Sequence, residues 1–190
     1  IVRRLQDSAR LRAATSFAPV ALNQVVQDAL ELTRPRWKDA AELRGTPIVL
    51  ETALGELPAI LGNSAELREV ATNIILNAVE AMPNGGGLHV ETAAWGAWVT
   101  LTFIDTGTGM SDDVRRRIFD PFFTTKGAQG TGLGMSVSYA IVKRHGGELL
   151  VDSAVGHGTT VRLRLPVAQT PVTPPPAAAR GPAPCVSCRI

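Results

Sequence analysis

The chain has 190 residues, 45% of them apolar and 19% charged, which suits one domain with a full core plus appendages. A formal net charge of +2 without a dense Lys/Arg cluster excludes the electrostatic footprint of a nucleic-acid binder. No apolar run approaches the ~20 residues that cross a bilayer, and the opening IVRRLQDSAR is amphipathic rather than a signal peptide. The expectation is a soluble cytoplasmic piece without direct membrane contact, cut from something larger because it does not begin with Met.

Residues 2–14 space Val2, Leu5 and Leu11 among arginines as in the end of an amphipathic helix. ALNQVVQDALELTRPRW carries Leu22, Val25, Val26, Leu30 and Leu32 at helical spacing, with Pro35 bending or ending that helix. PIVLET and LPAILG, bounded by Gly and Pro, read as strands. Asn63 opens NSAE, a cap with Glu66 placed to reach back, and announces a helix through about Met82. LHVETAAW and AWVTLTFID read as an antiparallel pair turning near Gly96. SDDVRRRIF gives a short capped helix. A Gly/Thr-rich loop runs to Gly130, and 132–145 forms another helix, stopped by Gly146 and Gly147. GELLVDS and TTVRLRLPV close the fold as two strands around a GHG turn. The class is α/β (α+β), a two-layer sandwich. After Val167 a Pro/Ala-rich linker, 168–190, has no means of burying a core. Its Cys185 and Cys188 form a lone CxxC that reads as incidental rather than as a metal or redox pair.

At 100° per residue, Leu67, Val70, Ala71, Ile74, Ala78 and Met82 share one face of the 64–82 helix. Glu66, Glu69, Asn73, Asn77 and Glu80 form a stripe beside it. The glutamates read as an ordinary solvated face. Two Asn one turn apart are less ordinary, because Asn competes for backbone groups inside helices. A neutral amide oxygen suits a hard cation such as Mg²⁺, whose other positions go to phosphate and water.

Three glycine segments follow: DTGTGM at 105–110, GAQGTGLGM at 127–135 and GHGT at 156–159. GHGT reads first as a turn. DTGTGM sets an acid at the end of an apolar strand, where it can accept from an exocyclic amine such as adenine's while the glycines let backbone approach a flat ring. GTGLGM opens into a helix, whose free amides and dipole seat polyphosphate. Neither segment is a P-loop or Rossmann fingerprint. Between them lie Phe119, Phe122 and Phe123, of which at least two are expected in the core. The residues from there to Gly130 suit a lid, with Lys126 in reach of phosphate oxygens.

In this order the segments resemble the GHKL superfamily with the Bergerat fold, and specifically its histidine-kinase branch, over about residues 20–166. EVATNIILNAVEAM looks like the N box, DTGTGM the G1 box, IFDPFFTTK the F box and GTGLGM the G2 box, with GHGTTVRLRLP as the closing strand. PFFTTK and YAIVKRHGG are similar to nitrogen-regulatory sensor kinases. The resemblance implies a mixed, mostly antiparallel sheet covered by helices on one face, with ATP and Mg²⁺ as cofactors. It implies that Asp105 binds the adenine amine, Gly107, Gly109 and Met110 shape the base pocket with help from Thr159, and Asn77 holds Mg²⁺. Gly130, Thr131, Gly132, Leu133, Gly134 and Lys126 would serve the phosphates. Asn73 stands where hydrolytic members have a glutamate base. A neutral imidazole needs no such base, whereas water does, so an amide there disfavours hydrolysis while permitting transfer to histidine.

The family's acceptor is a helical His followed by an acid, and His89, His145 and His157 do not fit it. The implied partners are therefore a phosphoacceptor dimerisation domain of the same protein, with residues 1–16 its last remnant, and a downstream response regulator or receiver domain. The parent is expected to be a homodimer. The rival readings are an ATPase driving conformational change, an anti-sigma-type serine kinase, and a nucleotide-binding regulatory module without transfer.

Overall fold

In the computed structural model, which describes residues 17–43, 45–125, 127 and 130–168, the two periodicities of the sequence become two layers. The chain runs through β1 (Ala18–Val20), α1 (Leu22–Arg34), a wider π-helical turn (Pro35–Asp39) and the single turn α2 (Ala40–Leu43). It continues with β2 (Ile48–Leu54), β3 (Ile60–Gly62), α3 (Ser64–Glu80), β4 (Gly86–Trp95) and β5 (Trp98–Asp105). It ends with α4 (Asp112–Arg117), α5 (Gly134–Arg144), β6 (Glu148–Ser153) and β7 (Thr159–Pro166). The α-helical ladder stops at Pro35, which brings no amide hydrogen. Trp37 Nε1 donates to the Leu30 carbonyl at 3.1 Å and ties the following turn back to α1.

The main sheet has five strands in the order β2-β4-β5-β7-β6. Only β2 and β4 run parallel within it. β1 and β3 form a separate antiparallel pair. The alternation of β5 and β7 aims Val99, Leu101, Phe103, Val161, Leu163 and Leu165 at the helices. α3 is held between α1 and α5. It therefore buries Ile75 and Val79 in addition to the expected face of Leu67, Val70, Ala71, Ile74 and Ala78. Its N-terminus keeps the Asn half of the expected cap, with Asn63 Oδ1 accepting from the amides of Ala65 (3.0 Å) and Glu66 (3.3 Å), whereas Asn63 N donates to His145 Nε2 at 3.0 Å where the reach-back of Glu66 was expected. Glu66 itself departs from the solvated-face reading, since Arg144 Nη2 lies 2.7 Å from its Oε2.

The domain holds its chain through Ala168, whose amide donates to the Ala59 carbonyl at 3.1 Å. The remnant expected over 1–16, the remainder of the linker, Cys185 and Cys188 lie outside the described residues. Among the described residues no helix is long and apolar enough to cross a membrane.

Candidate nucleotide site

The last residue of β5 opens the site. Asp105 is buried, and its Oδ1 accepts from the amide of Gly107 at 2.9 Å and from that of Thr159 at 3.2 Å. Thr159 is its register partner on β7, so the sheet itself aims the second amide. Burial pushes the Asp105 carboxyl above the usual carboxylate range, and the two amide hydrogen bonds partly oppose that rise. With Oδ1 occupied, Oδ2 is the atom left to accept from an incoming amine.

The loop after Asp105 is fixed on two sides. Thr108 N donates to the Ala81 carbonyl at the end of α3 at 2.9 Å, and Gly107 lies so close to Ala81 that a Cβ would fall 2.6 Å from that oxygen. On the other side, Gly156 N donates to the Thr108 carbonyl at 2.8 Å, and Gly109 packs on the Ala154 carbonyl. Met110 N donates to Ser153 Oγ at 2.9 Å, and that hydroxyl donates to the Gly158 carbonyl at 2.8 Å. The GHGT turn is therefore the back wall of the acid loop as well as a hairpin turn. Ser153 had no sequence signal, being one Ser at a strand end.

The second cluster lies along α3. Asn73 Nδ2 donates to the Gly134 carbonyl and to Ser138 Oγ, both at 3.3 Å. Eight residues separate Asn73 from Ala81, about 12 Å along a helix, so the acid loop and the first turn of α5 flank the C-terminal half of α3. Asn77, half-buried, lies one turn beyond Asn73. The amides of Gly134, Met135 and Ser136 precede the first intrahelical bond of α5, Val137 N to the Leu133 carbonyl at 2.9 Å, and are the groups with which such a terminus can accept an anion.

The approach to α5 is shaped by Gly130, Thr131, Gly132 and Leu133. Thr131 Oγ1 accepts from Leu133 N at 3.4 Å, and Phe122 N donates to the Gly132 carbonyl at 3.0 Å. At least two of the three phenylalanines were expected in the core, and only Phe119 packs there, because the others sit on the loop that follows α4. Phe119 packs on the core and lies 4.9 Å from the Tyr139 ring, Phe123 lies 4.3 Å beneath the Arg117 guanidinium, and Phe122 is 75% exposed. Lys126 lies outside the described residues, as does part of the segment expected to form a lid.

Gly132 and Gly134 make a testable contrast. Gly132 has φ +65°, and a Cβ there would sit 2.6 Å from the Phe122 carbonyl oxygen, whereas a Cβ on Gly134 meets only Asn73 at 3.7 Å. Gly132→Ala is expected to lower the melting temperature clearly, by about 2 kcal/mol of stability. Gly134→Ala should leave it within about 0.5 kcal/mol yet weaken nucleotide binding by placing a methyl over the phosphate seat. Equal melting temperatures for the two variants would contradict this geometry.

The residues suit the group that the sequence implies. The Asn73 NH₂ is engaged by α5, which leaves its Oδ1 as a neutral acceptor for a hard, hydrated cation. Among the described residues no group of three or more His, Cys, Asp or Glu stands together. A separate cavity of about 420 Å³, lined by residues that include Val25, Asp28, Asn63 and Arg68, opens at the N-terminal end of α3. That is about 25 Å along the helix from the acid loop.

Residues 62–169 match the family described as histidine kinase-, DNA gyrase B-, and HSP90-like ATPase. Sporulation kinase E of Bacillus subtilis is 36% identical over 149 residues, covering 78% of this chain and 19% of that protein. The signal transduction histidine-protein kinase AtoS of Escherichia coli is 34% identical over 166 residues, covering 77% of this chain and 27% of its own length. Among solved structures, the mycobacterial sensor histidine kinase MprB superposes with a TM-score of 0.68 at 28% identity, covering 79% of this chain and 97% of that one. Full-length ShkA in complex with AMPPNP gives 0.68 at 31% identity, covering 80% and 31%.

Proposed function

This chain belongs to the histidine kinase-, DNA gyrase B-, and HSP90-like ATPase family, and from that premise we propose that it binds Mg-ATP and transfers the γ-phosphoryl group to a histidine on a dimerisation domain. The acceptor nitrogen attacks the γ-phosphorus, the bond to the β,γ-bridging oxygen breaks, and ADP leaves. The imidazole proton passes to a neighbouring acid or to water. Asp105 and Thr159 orient the base, and the first turn of α5 with Gly130, Thr131 and Gly132 receives the phosphates. Asn77, with Asn73 Oδ1 one turn before it, would hold Mg²⁺, which would supply neutralisation of phosphate charge. Catalysis by this domain is positioning and electrostatics rather than covalent chemistry.

The observation that carries the reading is Asn73. An amide whose NH₂ is bonded to Gly134 and Ser138 offers no base to activate water, which favours transfer over hydrolysis. The described histidines offer no helical acceptor. His89 lies in β4, and His157 sits in the exposed β6–β7 turn. His145 is buried with Nε2 accepting from Asn63 N at 3.0 Å and Nδ1 2.8 Å from the Ile141 carbonyl. The acceptor is therefore supplied from elsewhere in a homodimeric parent, which hands the phosphoryl group to a response regulator or receiver domain in the cytoplasm.

The test is incubation of labelled ATP and Mg²⁺ with a chain extended upstream to include the acceptor helices. Label that is lost in acid and retained in base is expected for phosphohistidine. Acid-stable label would indicate a serine kinase. Release of inorganic phosphate without labelled protein would indicate an ATPase.

A further inference from the structure

Ser138 is fully buried on α5, one turn after the residues that would seat phosphate. Its Oγ donates to the Gly134 carbonyl at 2.8 Å and accepts from Asn73 Nδ2 at 3.3 Å. The Gly134 carbonyl can only accept, so the edge of the Asn73 amide facing α5 is its NH₂. One hydrogen goes to Gly134 and the other to Ser138. Oδ1 is thereby turned off those two groups, 3.8 Å from where a Cβ of Gly134 would sit, and a 180° flip of the amide would set oxygen against a carbonyl oxygen and leave a buried hydroxyl without its donor.

We propose that Ser138 is a positioning residue that locks the Asn73 amide with its oxygen turned off the Gly134 carbonyl and Ser138, presenting an acceptor to the hydrated cation carried by the nucleotide. This rests on the reading of the cleft as a Mg-nucleotide site. Ser138 touches neither nucleotide nor cation; it acts through Asn73, and it couples α3 to the first turn of α5 so that amide and phosphate seat keep one geometry. Without the hydroxyl, one amide hydrogen loses its partner and the Asn73 side chain gains alternative rotamers. The result is a looser cation environment, as when an outer-shell partner of a metal ligand is removed.

The readout is the ratio of AMPPNP affinities with and without Mg²⁺, measured by calorimetry on the chain as it stands. Ser138→Ala is expected to reduce that ratio roughly tenfold, and Ser138→Thr, which keeps the hydroxyl, to restore most of it. In an Asn73→Ala background, Ser138→Ala should change the ratio no further. Melting curves without nucleotide accompany each variant, because a purely structural role would move the melting temperature and leave the ratio intact. A ratio unchanged in Ser138→Ala, or lost equally in Ser138→Thr when that variant melts like the wild type, would overturn the proposal while leaving the ATP reading standing. A wild-type chain that binds AMPPNP with no response to Mg²⁺ would overturn the cation reading and this inference together. No AMPPNP binding at all would remove the nucleotide reading itself.

Discussion

Asp105→Asn is expected to weaken binding of an ATP analogue by roughly 100-fold, about 3 kcal/mol, while leaving the unliganded protein at least as stable. Oδ1 of Asp105 accepts both backbone amides, from Gly107 and Thr159. In the asparagine variant the amide oxygen must stay on those donors, so the NH₂ replaces Oδ2. A donor then faces the adenine amine, also a donor, and an acceptor is exchanged for a clash. Stability moves the other way. The folded state holds the Asp105 proton more tightly than an unfolded chain, whose ordinary value is 3.8. Stability therefore falls as pH rises from that value through the raised folded one, and the deficit persists at neutral pH. Asparagine carries no such penalty, and its melting temperature at neutral pH should equal or exceed that of the wild type. Undiminished analogue binding by calorimetry would remove Asp105 from base recognition.

Gly158→Ala should be among the most damaging single methyls in the site, matched only by Gly109, whose Cβ would overlap the Ala154 carbonyl oxygen as closely. Gly158 has φ +72°, and its Cβ would overlap the Asp105 carbonyl oxygen. The left-handed conformation costs an alanine about 1–2 kcal/mol, and relief of the overlap requires the β6–β7 turn to move. That movement breaks the bonds from Thr159 N to Asp105 and from Ser153 Oγ to the Gly158 carbonyl. A total of about 3 kcal/mol, or roughly 10 °C in melting temperature, is expected, together with loss of nucleotide binding. Gly156→Ala is the control. Gly156 is also left-handed, at φ +79°, but nothing lies within 4 Å of its Cβ, so about 1 kcal/mol is expected. Equal losses in the two variants would show that the conformation, rather than the contact with Asp105, sets the cost.

The strands and helices that carry the site were legible because their signals are local: alternation in β5 and β7, a 3.6-residue period and an Asn cap in α3, and an acid followed by glycines at a strand end. Pairing partners were not. Ala18–Val20 is three residues with a proline in the middle, and only the distant Ile60–Gly62 makes it a strand. The parallel pairing of β2 with β4 likewise leaves no mark on either segment. Inside the candidate site, Asp105 and the glycines stand out in the sequence because an acid at a strand end followed by glycines is an uncommon pattern, and the structure brings them together in one loop. Ser153 and Ser138 do not, because a serine becomes informative only when a residue tens of positions away donates to it. The phenylalanines show the same limit: three rings in five residues look alike in sequence, and the surroundings separate the core ring Phe119 from the exposed Phe122.

The most direct test of the nucleotide cleft is an amide-resolved NMR titration of this chain with AMPPNP and Mg²⁺. Saturable shifts are expected at Gly107, Thr159 and Gly130 to Ser136, and in the side-chain amides of Asn73 and Asn77. Shifts confined to the cavity lined by Val25, Asp28, Asn63 and Arg68, or an unchanged spectrum at millimolar AMPPNP, would contradict a nucleotide site between Asp105 and α5.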